Sequence, residues 1–478
     1  MRKKFEQQIA IGQKIIQDIH VNLKCRDAFT KLVLSLKEIF ITPEYNEVIF
    51  SILEKKLCSD KKKTGRTGMD LWQIFVLAQT RLALNISYDR LHHMANFDTL
   101  LRQLLGIEKD YGYEKIELEY QNIIDNVHLL DDDLLRQINE VIVKMGHDVF
   151  KKKEEEALHL KTDSYVVESN VHFPTDYNLL WDSTRKCIDV IESFLNKYNE
   201  IPGWRNLQYW FREIKNHMRN LSQAAKKSAE KRKSIAEQYL NKAKLFAKKI
   251  ENPLQVFPLE SEKDLSLHLE LEYYKDMLDK HIDLVERRLI KGEEIPHSDK
   301  IFSIFETYTE WINKGKQHPN VELGKNLQLT SDQFDLIIDY KIMEHEVDKS
   351  LVIPLVDRIL SKFIVSSWSF DKGFYTKDNK ELLKLFINNL VMPKKGRLNL
   401  IEKEEESTKI FKKFRNKHSA VESNINSLEK KGLDRCPDKG YQHFKNYIGV
   451  GICAYNLHRI GAELMKQQIQ KLALKIAA

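Results

Sequence analysis

Leu158-His-Leu-Lys-Thr-Asp163-Ser-Tyr-Val-Val-Glu168 is the first stretch of the chain to alternate with a period of two. Leu158, Leu160 and Val166 fall on one face, and Lys161, Asp163 and Tyr165 on the other. The alternation predicts a β-strand with an acid at its middle, and an isolated carboxylate on a covered strand is costly, so Asp163 needs a reason. Upstream, residues 1 to about 155 read as helices, from the apolar positions Ile9, Ile11, Ile15, Ile16 and Ile19 through Phe29 to Phe40. Arg66 to Leu84 is a strong helix pattern; Asn85-Ile-Ser87 then turns the chain, with Ser87 as N-cap of a second helix through Met94, and Phe97 to Gly106 supplies a third. Two helices joined so tightly can be a DNA-reading helix-turn-helix or a plain helical hairpin.

Downstream, helix is expected again from Ser183 to about Leu289. Within it, residues 216 to 250 carry ten Lys/Arg, among them Lys226, Lys227, Lys231, Arg232 and Lys233, against only Glu230 and Glu237. That local excess of eight exceeds the net +7 of the whole chain, so it is either a solvated face or a surface for phosphates. Strand patterns return at Ile301-Phe-Ser-Ile-Phe305, Val321-Glu-Leu-Gly324 and Leu336 to Met343, with Ser331 to Asp335 as a hairpin loop. A helix over Leu351 to Leu360 follows. Phe363 to Asp371 then reads as a buried strand stopped by Lys372-Gly373, before a helix from about Asn379 and a short strand Asn389-Leu-Val-Met-Pro393. The order describes a mixed α/β sheet with a large helical insertion after its first strand.

Composition sets the bounds. The 478 residues are 42 % hydrophobic and 31 % charged with 17 Gly and 10 Pro, which excludes collagen-like and low-complexity chains and predicts a helix-rich globular protein. No apolar run reaches the roughly 20 residues of a membrane span, and no secretory pattern opens the chain, so a cytoplasmic protein with no membrane partner is expected. Cys25, Cys58, Cys187, Cys436 and Cys453 are scattered and odd in number, which predicts reduced thiols rather than a disulfide or zinc framework.

Two further acids join Asp163. Asp371 sits at the carboxyl end of its strand, where open α/β sheets place their sites. In a helix expected from about Glu405 to Lys431, Ile410, Phe411, Phe414, Val421, Ile425 and Leu428 form the buried stripe. At 3.6 residues per turn Arg415, His418, Glu422 and Asn426 line up beside it. Each acid alone could be structural, and the polar stripe could be a surface ion pair. Together, two strand carboxylates and one helix carboxylate are the hard oxygen donors that two Mg²⁺ ions need, with Mn²⁺ as a substitute. Lys394, Lys395 and Arg397, in the loop before that helix, would suit a DNA backbone or could be solvated. Glu168 points to the opposite strand face and Asp176 follows Pro174 in a turn; both read as structural, as does His172.

At these residues the chain resembles the DDE transposases of bacterial insertion sequences, whose catalytic domain is RNase H-like. The resemblance rests on Lys161-Thr-Asp-Ser-Tyr-Val-Val-Glu-Ser-Asn-Val-His-Phe-Pro-Thr-Asp176, on Phe302 to Lys316 with Val321-Glu-Leu-Gly324, and on Ser369-Phe-Asp-Lys-Gly-Phe374. It continues in Ala420-Val-Glu-Ser-Asn-Ile-Asn426, Gly432-Leu-Asp-Arg-Cys-Pro-Asp-Lys-Gly440 and Asn456-Leu-His-Arg-Ile-Gly461. It implies that Asp163, Asp371 and Glu422 are the catalytic triad on two divalent metals, with Arg415 and His418 orienting phosphates. It also implies that residues 66 to 107 belong to a DNA-binding domain. A related branch has Tyr, Arg, Glu and Lys at fixed spacing on the glutamate helix; here Arg415, His418, Glu422 and Glu429 stand there, with Lys430 one place off. The expected domains are a helical N-terminal DNA-binding domain (1–155), an RNase H-like catalytic domain (156–182 and 295–440), a helical basic insertion (183–294) and a C-terminal helix (441–478). The expected partners are double-stranded DNA, both terminal inverted repeats and target, with a homodimer pairing the two ends. A nuclease that cuts without joining, or a DNA-binding derivative without activity, would share most of these features.

Overall fold

A helix that is apolar on every side has nowhere to go but the interior. Leu71–Ala83 is close to such a helix, with every residue except Gln73 buried, and Ala28–Ile41, Tyr120–Val127 and Tyr441–Ala477 pack against it. The computed structural model describes residues 14–58, 68–108, 116–198, 204, 206–226, 228–313 and 320–477. Ile9, Ile11, Arg66, Thr67, Lys227 and Lys314 to Lys316 lie outside the described residues. The chain divides into two compact units, residues 1–170 with 312–478 and residues 171–311.

The elements run α1 (Ala28–Ile41), α2 (Pro43–Leu57), α3 (Leu71–Ala83), α4 (Tyr88–Phe97), α5 (Thr99–Leu104), α6 (Tyr120–Val127), α7 (Asp132–Val149) and β1 (Leu158–Ser169). The second unit holds α8 (Asp176–Lys197), α9 (Leu207–Gln223), α10 (Ala229–Val256) and α11 (Glu262–Val285). The boundary between units falls in β2 (Glu310–Asn313), which is followed by β3 (Val321–Ser331), β4 (Ile337–Ile342), α12 (Val352–Leu360), β5 (Val365–Phe370) and α13 (Lys377–Lys384). Then come β6 (Asn389–Val391), α14 (Leu400–Ser407), α15 (Lys409–Leu428), β7 (Arg435–Cys436) and α16 (Tyr441–Ala477). No helix among the described residues is long and apolar enough to cross a membrane.

The helix starts are written locally. Asp27, Ser87, Asp98 and Asp131 each accept a backbone N–H two or three residues on, satisfying a donor that the first turn cannot. Trp72, fully buried in α3, donates its indole N–H to the Leu104 carbonyl at 2.8 Å. α16 packs along α1, α3 and α7. It meets α1 so closely that a Cβ on Gly461 would lie 1.8 Å from the Lys31 carbonyl oxygen, so only glycine fits there. Arg81 of α3 forms a two-pronged ion pair with Asp438 (2.8 and 2.6 Å), beneath a Tyr88 ring 3.8 Å from the guanidinium carbon. That pair ties α3 to the segment entering α16.

The sheet is mixed, in the order β2-β3-β1-β5-β6, with β4 also on β3 and β7 on the end of β1. β3 is antiparallel to both β1 and β4, whereas β5 runs parallel to β1 and β6 parallel to β5. Leu158 and Leu160 of β1 and Trp368 and Phe370 of β5 pack against Val352, Leu355, Val356 and Ile359 of α12 and Leu383 of α13. The intervening strand residues face the other way, toward α15. In the second unit, α8, α9, α10 and α11 bury their own core around Phe194, Tyr239, Phe246 and Leu278.

Three local expectations are corrected. Ile301 to Phe305 is not a strand, because the Ser303 hydroxyl takes the amides of Phe305 (3.2 Å) and Glu306 (2.9 Å) that a ladder would need, and Ile304 goes into the helical core. β3 extends to Ser331, well past Gly324. Residues 405 to 431 are broken at Thr408, which caps α15; Ile410, expected inside, lies in the first turn of α15 and is 60 % exposed.

The Arg81–Asp438 pair yields a direct test. Asp438→Ala would strand a guanidinium whose side chain is only 6 % exposed, and should cost about 3–5 kcal/mol in a urea denaturation series. A loss below about 1 kcal/mol would mean the pair does not hold α3 in place.

Candidate active site

The register of β1 against β5 brings the two strand acids together. Lys161 is paired with Ser369 and Thr162 with Phe370, and the next residue on each strand is an aspartate, Asp163 and Asp371. Both lie on the face turned toward α15, since alternate residues share a face and Ser369 contacts that helix. Asp163 accepts the Ser164 amide through Oδ1 at 2.7 Å. Asp371 ends β5 at an extended backbone, and its carbonyl accepts the Phe374 amide at 3.2 Å, closing the turn over Lys372-Gly373. A Cβ on Gly373 would lie 2.6 Å from Asp348 Oδ2, while Asp348 Oδ1 accepts the Ser164 hydroxyl at 2.8 Å. Asp348 thus lies between β1 and the turn that carries Asp371, and a side chain at position 373 would displace its carboxylate.

α15 supplies the third acid. Glu422 is exposed; His418, one turn earlier, is largely buried with Nδ1 3.0 Å from Ser369 Oγ. The serine has one proton to give. With that proton on the Leu160 carbonyl (3.3 Å), His418 donates through Nδ1–H and its Nε2 keeps a bare lone pair, buried and without a hydrogen-bond partner. Burial lowers the His418 pKa, against the opposing pull of Asp371 and Glu422, so the neutral ring is favoured. The same pull shows that both acids are its electrostatic neighbours. A neutral ring of this tautomer accepts at Nε2 from a cation or a donor, whereas the Nε2–H tautomer, with Ser369 donating to Nδ1, is the one that would orient a phosphate oxygen.

The placement of α15 rests on residues with no motif to announce them. Asp335, at a left-handed backbone position (φ 61°), accepts Lys161 Nζ at 2.8 Å and the Arg459 guanidinium at 3.2 Å. Buried Asn424, two residues past Glu422, reaches Ser331 Oγ at 3.3 Å and Asp335 at 3.5 Å. One carboxylate therefore joins β1, the β3–β4 hairpin, α15 and α16. A cleft of about 500 Å³ opens along the same face, lined by His159, Lys161, Ser367, Ser369, Phe414 and Ser423.

The remaining expected residues scatter. Lys394 is held by Glu402 at 2.9 and 3.0 Å, so its charge is largely answered within the protein; Lys395 and Arg397 are exposed. Arg415 is exposed, its nearest acid Glu406 at 3.9 Å. In the second unit Lys226, Lys231 and Lys233 are exposed and Arg232 is half-buried, whereas Lys242 and Lys244 pair with Glu213 and Glu286. His172 lies 3.3 Å from Asp182, and Asp176 pairs with Arg288 at 2.9 Å.

Among the described residues no group of three or more His, Cys, Asp and Glu side chains is gathered into metal-holding geometry. The chemistry of the donors nonetheless fits hard divalent cations: carboxylates on adjacent strands and a third on the facing helix. No protein-family model, curated protein or solved structure matches the chain.

His418 offers a pH test. Its folded pKa lies below the ordinary 6.5, so its neutral form contributes stability that is present above about pH 6.5 and is lost as pH falls below that value. Imidazole ¹⁵N spectra of the folded protein at pH 6.5 should show a neutral Nδ1–H ring for His418. A cationic ring, or an Nε2–H tautomer, would contradict the hydrogen-bond assignment.

Proposed function

We propose that the chain is a DNA transposase of the DDE type, built on an RNase H-like catalytic sheet and acting on double-stranded DNA at the ends of an insertion sequence. The observation that carries this reading is the parallel β1–β5 register, which leads to Asp163 and Asp371 side by side on the face turned toward Glu422. Strand order supports it as well. An antiparallel set, β4-β3-β1, continues into a parallel pair, β5-β6, with Asp163 at the middle of β1 and Asp371 where the chain leaves the carboxyl end of β5.

Asp163 and Asp371 would hold the metal pair with Glu422 completing it, and two Mg²⁺ ions, or Mn²⁺, would supply Lewis-acid stabilisation of the attacking and leaving oxygens. The protein's own part is positional. Ser164 and Asp348 brace the Asp371 turn, the Asp335 cluster fixes α15, and Arg415, exposed with only a 3.9 Å pairing to Glu406, would reach a phosphate. Hydrolysis at the element end would free a 3′-hydroxyl, which would attack a phosphorus of target DNA, forming a new phosphodiester and releasing the target strand's 3′-hydroxyl, so no covalent protein intermediate is required. The exposed Lys226, Lys231 and Lys233 would contact DNA phosphates, and pairing two element ends calls for a homodimer.

The test is Mg²⁺-dependent cleavage and joining of labelled duplexes carrying the DNA that flanks the gene. Asp163→Asn, Asp371→Asn and Glu422→Gln should each lower both products by about 10³-fold or more. Full activity in Asp371→Asn would refute the site, and cutting without joining would make the protein a nuclease. Separately, replacing Lys226, Lys231 and Lys233 by Ala should reduce the steepness of the salt dependence of duplex binding by about one per residue. An unchanged slope would remove that surface from the DNA path.

A further inference from the structure

Lys431 is a half-buried amine that the proposed chemistry does not use. It stands in the turn after α15 and donates from Nζ to the carbonyl of Ala83, the last residue of α3, at 3.2 Å. That turn is pinned. Gly432 holds a left-handed φ of 92°, the Tyr447 hydroxyl donates to the Gly432 carbonyl at 2.9 Å, and a Cβ on Gly432 would lie 2.4 Å from Asn85 Oδ1. The charge around the amine has one sign. Lys31 of α1 acts on both Lys431 and His458 of α16, and the two helices touch here, since Gly461, one turn past His458, lies against the Lys31 carbonyl. Among the described residues neither Lys431 nor Lys31 forms an ion pair with a carboxylate. Arg459, which also acts on His458, is occupied by Asp335 at 3.2 Å.

An ammonium in this setting sheds its proton readily. Burial, with the Lys31 charge added to it, lowers the Lys431 pKa from 10.5 to about 8. His458 is neutral, its pKa lowered to about 3 by burial and by the same lysines, so Lys31 is the cation that faces the amine. A neutral amine still donates an N–H to Ala83 and gains a lone pair for attack. Lys31 then chooses among electrophiles, because it attracts one whose leaving group is an anion. We propose that Lys431 is a site of acyl modification that takes its acyl group from an acyl phosphate, with the phosphate drawn to Lys31. The Nζ lone pair attacks the carbonyl carbon and the bond from that carbon to the phosphate oxygen breaks. Inorganic phosphate leaves with the electron pair and takes up the proton that the nitrogen sheds. The product is an uncharged amide, and its formation does not depend on the transposase reading.

The test is acetylation of the full folded chain by acetyl phosphate at pH 8, with each modified lysine quantified by peptide mass spectrometry. At that pH an amine of pKa 8 is about half unprotonated, against about 0.3 % for one at the ordinary value. A weaker base is also a weaker nucleophile, which leaves a net gain of about 10-fold. Lys431 should therefore be acetylated about 10-fold faster than the exposed Lys55 and Lys403, and this excess should vanish in urea. With p-nitrophenyl acetate, a donor without charge, the excess should be smaller. Lys31→Gln, in protein of unchanged circular-dichroism spectrum, should bring the two donors level. Acetylation of Lys431 no faster than that of Lys55 and Lys403 would overturn the proposal. So would an excess that is equal for the two donors in the intact chain, since that result marks a reactive amine with no preference for an acyl phosphate.

Discussion

The parallel pairing of β1 with β5 is the constraint from which the rest of the candidate site follows. β1 is ringed by partners, with β3 on one side, β5 on the other and β7 at its end. A strand paired on both edges and covered on both faces has a single register, because a slip of one residue would exchange its faces. Such a slip would turn Asp163 toward α12 and α13, where Leu158 and Leu160 now pack, and send a leucine toward α15. The hydrophobic core on one face thus fixes the position of an acid on the other.

The face toward α15 is organised by polar contacts instead. Lys161, Asp335, Asn424 and Arg459 come from four separate elements and meet at one carboxylate. Asn456 plays a similar part deeper in the unit, donating to Asn139 at 2.8 Å and to the Ile337 carbonyl at 2.9 Å while accepting the Ile337 amide at 2.8 Å. Buried amides used so completely specify one arrangement of their helices, since any other would leave donors and acceptors unpaired. Several residues of the motif-like segments hold the helices in place. Asp438 holds Arg81, Asn456 ties α16 to β4, and Gly461 permits the close approach of α1.

What the sequence disclosed, and what it withheld, divides by range. β1, the β3–β4 hairpin, β5 with its stop at Lys372-Gly373, and the Ser87 cap were legible because alternation and capping are local. The full length of β3 was not, since Gln328 and Thr330 are polar yet buried; Thr330 is satisfied only by Thr162 on the neighbouring strand, at 2.8 Å. Ile301 to Phe305 alternates like a strand, and a single serine diverts its backbone into a turn. Ile410 shares the phase of Val421 and Leu428, but it stands in the first turn of α15, where it is left exposed. At the site, the positions of the three acids were readable, whereas Asp335, Asn424 and Asp348 were not. Their partners lie far along the chain, and only the folded sheet brings them within reach.

The central claim is that Asp163, Asp371 and Glu422 act as one cation-binding group on the face between the parallel strands and α15. Electron paramagnetic resonance of Mn²⁺ titrated into the protein tests this without any DNA substrate. Tight binding by the intact chain that is lost in both Asp163→Ala and Asp371→Ala and weakened in Glu422→Ala is the predicted result. Mn²⁺ binding that survives both aspartate substitutions, in protein whose fold is intact by circular dichroism, would contradict it.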